Sequence, residues 1–132
     1  MNALPFTADD VVSAFDRHPE IKPTYGTFRM MDTRNQIKAC CGLSIMVIDA
    51  GHSDAVATMP LSIKSSVAAF RKTMSWPGET ESDLIRNSDP ECQFISGFDS
   101  DSHEKMLHSQ QSENQAFMTG FRARQLLRDR ME

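Results

Sequence analysis

A five-residue pattern occurs twice in the chain, as Phe94-Ile95-Ser96-Gly97-Phe98 and as Phe117-Met118-Thr119-Gly120-Phe121. Matched positions are 23 residues apart throughout (94 and 117, 98 and 121), and the inner residues also pair in kind, Ile95 with Met118 and Ser96 with Thr119. In an α-helix the two phenylalanines of each copy, four residues apart, stack on one face. The glycine beside them removes a side chain where another backbone could approach. Glycine inside a helix costs up to about 1 kcal/mol relative to alanine, so its use there calls for a compensating contact. Two helices crossing at Gly97 and Gly120, with four rings packed about the crossing, would supply one. The competing reading is that the two copies are unrelated core positions.

The flanks of the two copies differ in charge. Asp99 and Asp101 follow the first, Arg122 and Arg124 the second. An aspartate at a helix C-terminus sits at the negative end of the dipole and gains from a cation nearby. Arg124 and Arg128 continue the direction of Phe117 and Phe121 along a helix, so an ion pair from Asp99 or Asp101 to Arg124 or Arg128 is expected. Solvated charges that contribute little are the alternative.

The rest of the chain reads as helix around this pair. Thr7 can cap a helix whose first turn holds Asp9 and Asp10, with Phe6 stapled onto Val11, and His18-Pro19 stops it. Glu20 to Asp32 is read as loop, with a short extended piece at Gly26 to Met31. Thr33-Arg34-Asn35-Gln36 resembles a capping box and opens a helix expected to run to Ala50, with Gly51 just past its end. Apolar residues surround that helix, which places it in the middle of the core. A buried strand at Leu43 to Ile48 is the alternative, because periodicity does not separate the two for short runs. Ile63, Val67, Phe70 and Met74 then recur at helical spacing, with Lys64, Arg71 and Lys72 read as facing away. Glu79 to Asn87 is read as an exposed loop. Ser88-Asp89-Pro90-Glu91 is a helix opening, with an early proline and a glutamate at the third helical position. After a polar stretch at Ser102 to Ser112, the last helix is capped by Ser112-Glu113-Asn114-Gln115. The expected fold is therefore all-α: one domain over residues 1–132, with helices near 8–17, 34–50, 60–75, 89–98 and 112–129, and residues 34–50 as the buried centre.

Composition narrows the chemistry. The 132 residues are 39% hydrophobic and 24% charged, with a net charge of −4, which suits an ordinary globular domain and gives no global bias to nucleic acid. The first ten residues lack a basic flank and an apolar run, so no secretory signal is expected. The apolar stretch from Ala39 to Ile48 is far short of the roughly 20 residues that span a bilayer. Cys40, Cys41 and Cys92 make a poor disulfide framework and read as reduced, buried thiols in a cytoplasmic protein. Adjacent cysteines on a helix diverge by about 100°, so Cys40 and Cys41 are ill placed to share a metal. Asp99-Ser100-Asp101-Ser102-His103-Glu104 begins like a calcium loop but lacks the turning glycine and the closing bidentate glutamate. Gly51-His52-Ser53-Asp54 places triad-type residues side by side, where triad geometry does not form, and reads as a turn with a capping Ser53. The nine methionines default to core filler.

Arg122, Arg124, Arg128 and Arg130 form the one basic concentration. They are the candidate binding residues, with cations favourably near a helix C-terminus as the alternative. Phe94, Gly97, Phe98, Asp99, Phe117, Gly120 and Phe121 are the candidate structural set. The expected function is a non-catalytic protein-interaction or regulatory module whose partner is another protein or a second copy, with no metal, cofactor or membrane. Nucleic-acid association through the arginine-rich last helix is the alternative, and an enzyme with a site built from scattered residues comes third.

Overall fold

A computed structural model describes residues 4–25, 27–58, 63–76, 90–99 and 115–131. The described elements are six helices and three short strands: α1 (Ala8–Arg17), β1 (Lys22–Pro23), β2 (Arg29–Met31), β3 (Ile37–Cys40), α2 (Gly42–Asp49), α3 (Ser53–Thr58), α4 (Ile63–Met74), α5 (Pro90–Phe98) and α6 (Gln115–Met131). The strands form one mixed sheet in the order β1-β3-β2, with β1 parallel and β2 antiparallel to β3. The all-α expectation is therefore wrong, although helix predominates.

The error has a local cause. The Thr33 to Gln36 segment does not cap a helix; it is the turn of a β2–β3 hairpin. The Asp32 carboxylate accepts the amides of Arg34 at 2.8 Å and Gln36 at 2.9 Å, and Asn35 takes the left-handed conformation at φ 59°. Asparagine tolerates that conformation better than most residues, and an aspartate that ties up amides two and four residues on competes with helix formation. The chain runs on as β3, where Cys40 faces Arg29 of β2 and Pro23 of β1.

Only residues 42–49 of the expected 34–50 helix are helical. Cys41 is its N-cap, with the Sγ accepting from the Ser44 amide at 3.5 Å. Gly42, Leu43, Ser44, Ile45, Val47 and Ile48 are buried, so this half does hold the central place assigned to the whole. Gly51, at φ 95°, donates to the Ile48 carbonyl and His52 to the Val47 carbonyl, which closes the helix with paired C-terminal hydrogen bonds.

Other expectations hold. Thr7 and Asp10 form a reciprocal capping box on α1, and Phe6 is buried at its entry. Pro90 is the first residue of α5. The turn expected at Gly51 to Asp54, with Ser53 as a helix cap, does lead into a short helix, α3, but Ser53 is its first residue rather than its cap. The expected loop at 79–87, the polar stretch at 102–112 and the cap at 112–114 lie outside the described residues.

The core is strung on aromatic contacts. Trp76 lies 5.6 Å from Phe6, Phe6 meets Phe94 edge-on at 5.0 Å, Phe94 stacks on Phe98 at 5.8 Å, and Phe98 meets Tyr25 at 5.0 Å. Phe94 and Phe98 are fully buried, each stabilising the fold by about 1.5–3 kcal/mol. This line of rings joins α1, α5 and the β1–β2 connection.

Candidate functional site

The doubled pattern brings α5 and α6 into backbone contact. A Cβ on Gly97 would overlap the Phe117 carbonyl oxygen and lie 2.8 Å from its carbonyl carbon and 3.0 Å from the Phe121 nitrogen. A Cβ on Gly120 would overlap the Phe94 carbonyl oxygen and lie 2.7 Å from the Phe98 nitrogen. Each glycine thus faces the residues three before and one after the other glycine. The crossing is reciprocal, with a local two-fold relation between the helices. A third glycine joins from α2, where a Cβ on Gly42 would meet the Phe94 ring at 2.8 Å and the Phe98 ring at 3.0 Å. No other side chain fits these three places without moving backbone or a buried ring.

Contrary to expectation, the four rings do not share one cluster around the crossing. Phe94 and Phe98 belong to the main core, whereas Phe117 and Phe121 are buried in a separate group with Met118 packed against it.

Arg124 reaches the end of α5, but its hydrogen bond goes to the Phe98 carbonyl oxygen at 3.2 Å rather than to a carboxylate. Its guanidinium also lies over the Tyr25 ring, 4.0 Å from the centroid. The carbonyls at a helix C-terminus already carry the negative end of the dipole, so an arginine finds an acceptor there without Asp99. Asp101 lies outside the described residues. Burial pushes the Tyr25 hydroxyl's pKa up, and the positive charges of Arg124 and Arg128 oppose that rise.

The arginines do not act as one patch. Successive helical residues turn by about 100°, so Arg124 and Arg128 are about 40° apart while Arg122 points about 160° away from Arg124. Arg122 and Arg128 are exposed and Arg124 is half-buried under Tyr25. The Arg130 side chain lies outside what the structure describes.

A buried ion pair was not expected. Arg71, read as facing solvent, is buried at 4% exposure, and its Nη2 donates to Glu91 Oε2 at 2.6 Å, where Glu91 is 1% exposed. The pair ties α4 to α5. A signal was present, since Arg71 follows Val67 by four residues and precedes Met74 by three, on the same stripe. Glu91 serves this pair, though its position in sequence suits a cap.

Where α1 and α2 finish, the Arg17 guanidinium grips the Asp49 carboxylate with bonds of 2.8 and 2.6 Å, and His18 Nε2 lies 3.2 Å from the same carboxylate. The Arg17 hydrogen bond holds the Asp49 carboxyl below the usual carboxylate range. All three cysteines are buried and none is in a disulfide. Burial pushes the Cys40 and Cys41 thiols up, and for Cys41 it outweighs the hydrogen bonds from Ser44. They are held as thiols, not as the thiolates that attack or bind metal. Among the described residues no three His, Cys, Asp or Glu side chains are grouped to hold a metal ion. No helix among them is long and apolar enough to cross a membrane.

Neither a scan against protein-family models nor searches of curated proteins and of solved structures give any match to this chain.

Proposed function

We propose that this chain is a non-catalytic protein-interaction or regulatory module of the cytoplasm. The observation that carries the reading is the reciprocal glycine crossing of α5 and α6. The most specifically shaped contact among the described residues is one by which a helix recognises a helix. The polar groups point the same way: Arg71 and Glu91 are spent on each other, Arg124 on Phe98 and Tyr25, and Arg17 on Asp49. Three buried thiols outside disulfides suit a reducing compartment.

The divergence of Arg122 from Arg124 and Arg128 weighs against nucleic acid, because phosphate binding that adds up needs cations on one side. Affinity purification from native cells, followed by reconstitution of the captured protein with this chain, tests the reading. A saturable complex of fixed stoichiometry, insensitive to nuclease, is the expected result. A salt-sensitive shift of labelled DNA or RNA, lost in the Arg128→Ala/Arg130→Ala double variant, would overturn it in favour of nucleic-acid binding.

A further inference from the structure

Resting on that reading, we infer that the partner is held through a single oxyanion, a carboxylate or phosphate group, which it presents to the Tyr25 hydroxyl and the Arg128 guanidinium beside Arg124. Three elements converge on the place. The connection of β1 to β2 brings Tyr25, tethered by the amide of its neighbour Thr24, which donates to the Cys40 carbonyl of β3 at 2.9 Å. The end of α5 brings the Phe98 ring, 5.0 Å from that of Tyr25. From α6 comes Arg124, whose guanidinium lies 4.0 Å from the Tyr25 ring centroid and donates to the Phe98 carbonyl at 3.2 Å. Arg124 is thus spent on fixing the phenol ring, and its part in the site is to position Tyr25.

What that packing leaves over is the binding chemistry. Among the described residues none hydrogen-bonds the Tyr25 hydroxyl, and none pairs with Arg128, which is exposed one helical turn beyond Arg124. Both arginines act on the hydroxyl through their charge, but burial outweighs them and keeps it protonated, so that it donates. A phenolic O–H and a guanidinium fork offer donors only, and an oxyanion is the acceptor that satisfies both. The positive charge is local, since the chain as a whole carries −4. Arg122, about 160° around the helix from Arg124, takes no part, so the site suits one anionic group rather than a run of phosphates.

The test follows backbone amide and arginine Nε–H resonances of the full-length chain by NMR. Inorganic phosphate and acetate are titrated separately, with ionic strength held constant by sodium chloride. The expected result is a saturable shift of the Tyr25 amide and of the Arg128 Nε–H. Arg128→Ala should weaken it by about tenfold and Tyr25→Phe, which keeps the ring under Arg124, by about fivefold. Arg122→Ala should leave it unchanged. Shifts that never saturate, or that Arg122→Ala weakens as much as Arg128→Ala, would overturn the inference, because they report only the general ion atmosphere. The same variants are then offered to the protein captured from native cells. A complex that survives Arg128→Ala and Tyr25→Phe with unchanged affinity would sink the inference while leaving the interaction-module reading in place. A saturable site in a chain that captures no protein would overturn the module reading, and with it the partner as the source of the oxyanion.

Discussion

The junction of α4 with α5 and the place where α1 and α2 finish are each fastened by an arginine–carboxylate contact of 2.6 Å, yet the two contacts are not equivalent. Arg71 and Glu91 are 4% and 1% exposed, whereas Arg17 and Asp49 are 56% and 19% exposed. Out of water, neither charge of the first pair can be left alone, so the pair is obligatory even though its net contribution against an apolar pair is small. In water, screening and side-chain entropy leave the second pair little to contribute. The glycines divide in the same way. Gly97 and Gly120 lie against backbone in the dry region, while Gly51, beside the wet one, has nothing within 4 Å of a would-be Cβ and is chosen for its φ of 95°. Distance alone does not rank these contacts; what surrounds them does.

The largest effect should come from the dry crossing. Gly97→Val or Gly120→Val forces two backbones apart and should destabilise by about 4 kcal/mol or more, the range reserved for severe core disruption. Denaturant unfolding read by Trp76 fluorescence measures it, and a loss below about 1 kcal/mol would mean that the helices do not touch at their glycines.

Next in size is the buried pair. Glu91→Ala or Arg71→Ala should cost about 3–5 kcal/mol by stranding the remaining charge, whereas Arg71→Met with Glu91→Leu should recover most of that loss. If the double variant were as unstable as the singles, the contrast between buried and exposed pairs would fail as stated. Gly51→Ala should cost only about 1 kcal/mol, through strain at positive φ, although its surroundings are open.

The smallest effect belongs to Asp49→Asn. The folded-state pKa of Asp49 lies below its unfolded value of about 4, so its contribution is present above that pH and is lost as pH falls through the folded-state pKa. Wild type should therefore exceed the variant by a small, constant margin near neutrality that closes in acid. The margin should also shrink in 1 M salt, which the Glu91 effect should not do. Equal salt sensitivity of the two would contradict the comparison.

What could be read beforehand is what local chemistry decides. Thr7 and Asp10 cap α1 within four residues, Pro90 opens α5, and Gly51 closes α2. The crossing was legible because a glycine between two phenylalanines at helical spacing has few uses. The sheet was not. Thr33 to Gln36 satisfies the rules for a helix cap and for a turn alike, and the decision falls to Asp32, one residue outside the pattern. β3 is only four residues long, too short for its alternation to show against the apolar helix that follows. The Arg71–Glu91 pair joins residues 20 apart on different helices, and side-chain chemistry alone does not announce such a partner. The position of Arg71 on the Val67–Met74 stripe is compatible with an inward-facing side chain, but its charge led to the opposite expectation. The place of Arg124 was foreseen only in part, since a helix end offers carbonyl acceptors as readily as a flanking aspartate.

The line of rings through the core makes the protein its own spectroscopic instrument. The chain has one tryptophan and one tyrosine, and they stand at opposite ends of that line, Trp76 against Phe6 and Tyr25 against Phe98. A change at the α5 crossing must pass one ring to reach Trp76, and none to reach Tyr25. Near-ultraviolet circular dichroism of the unmodified protein should therefore register the crossing from both sides, with the tyrosine bands responding when Arg124 lets go and the tryptophan bands only when Phe94 moves.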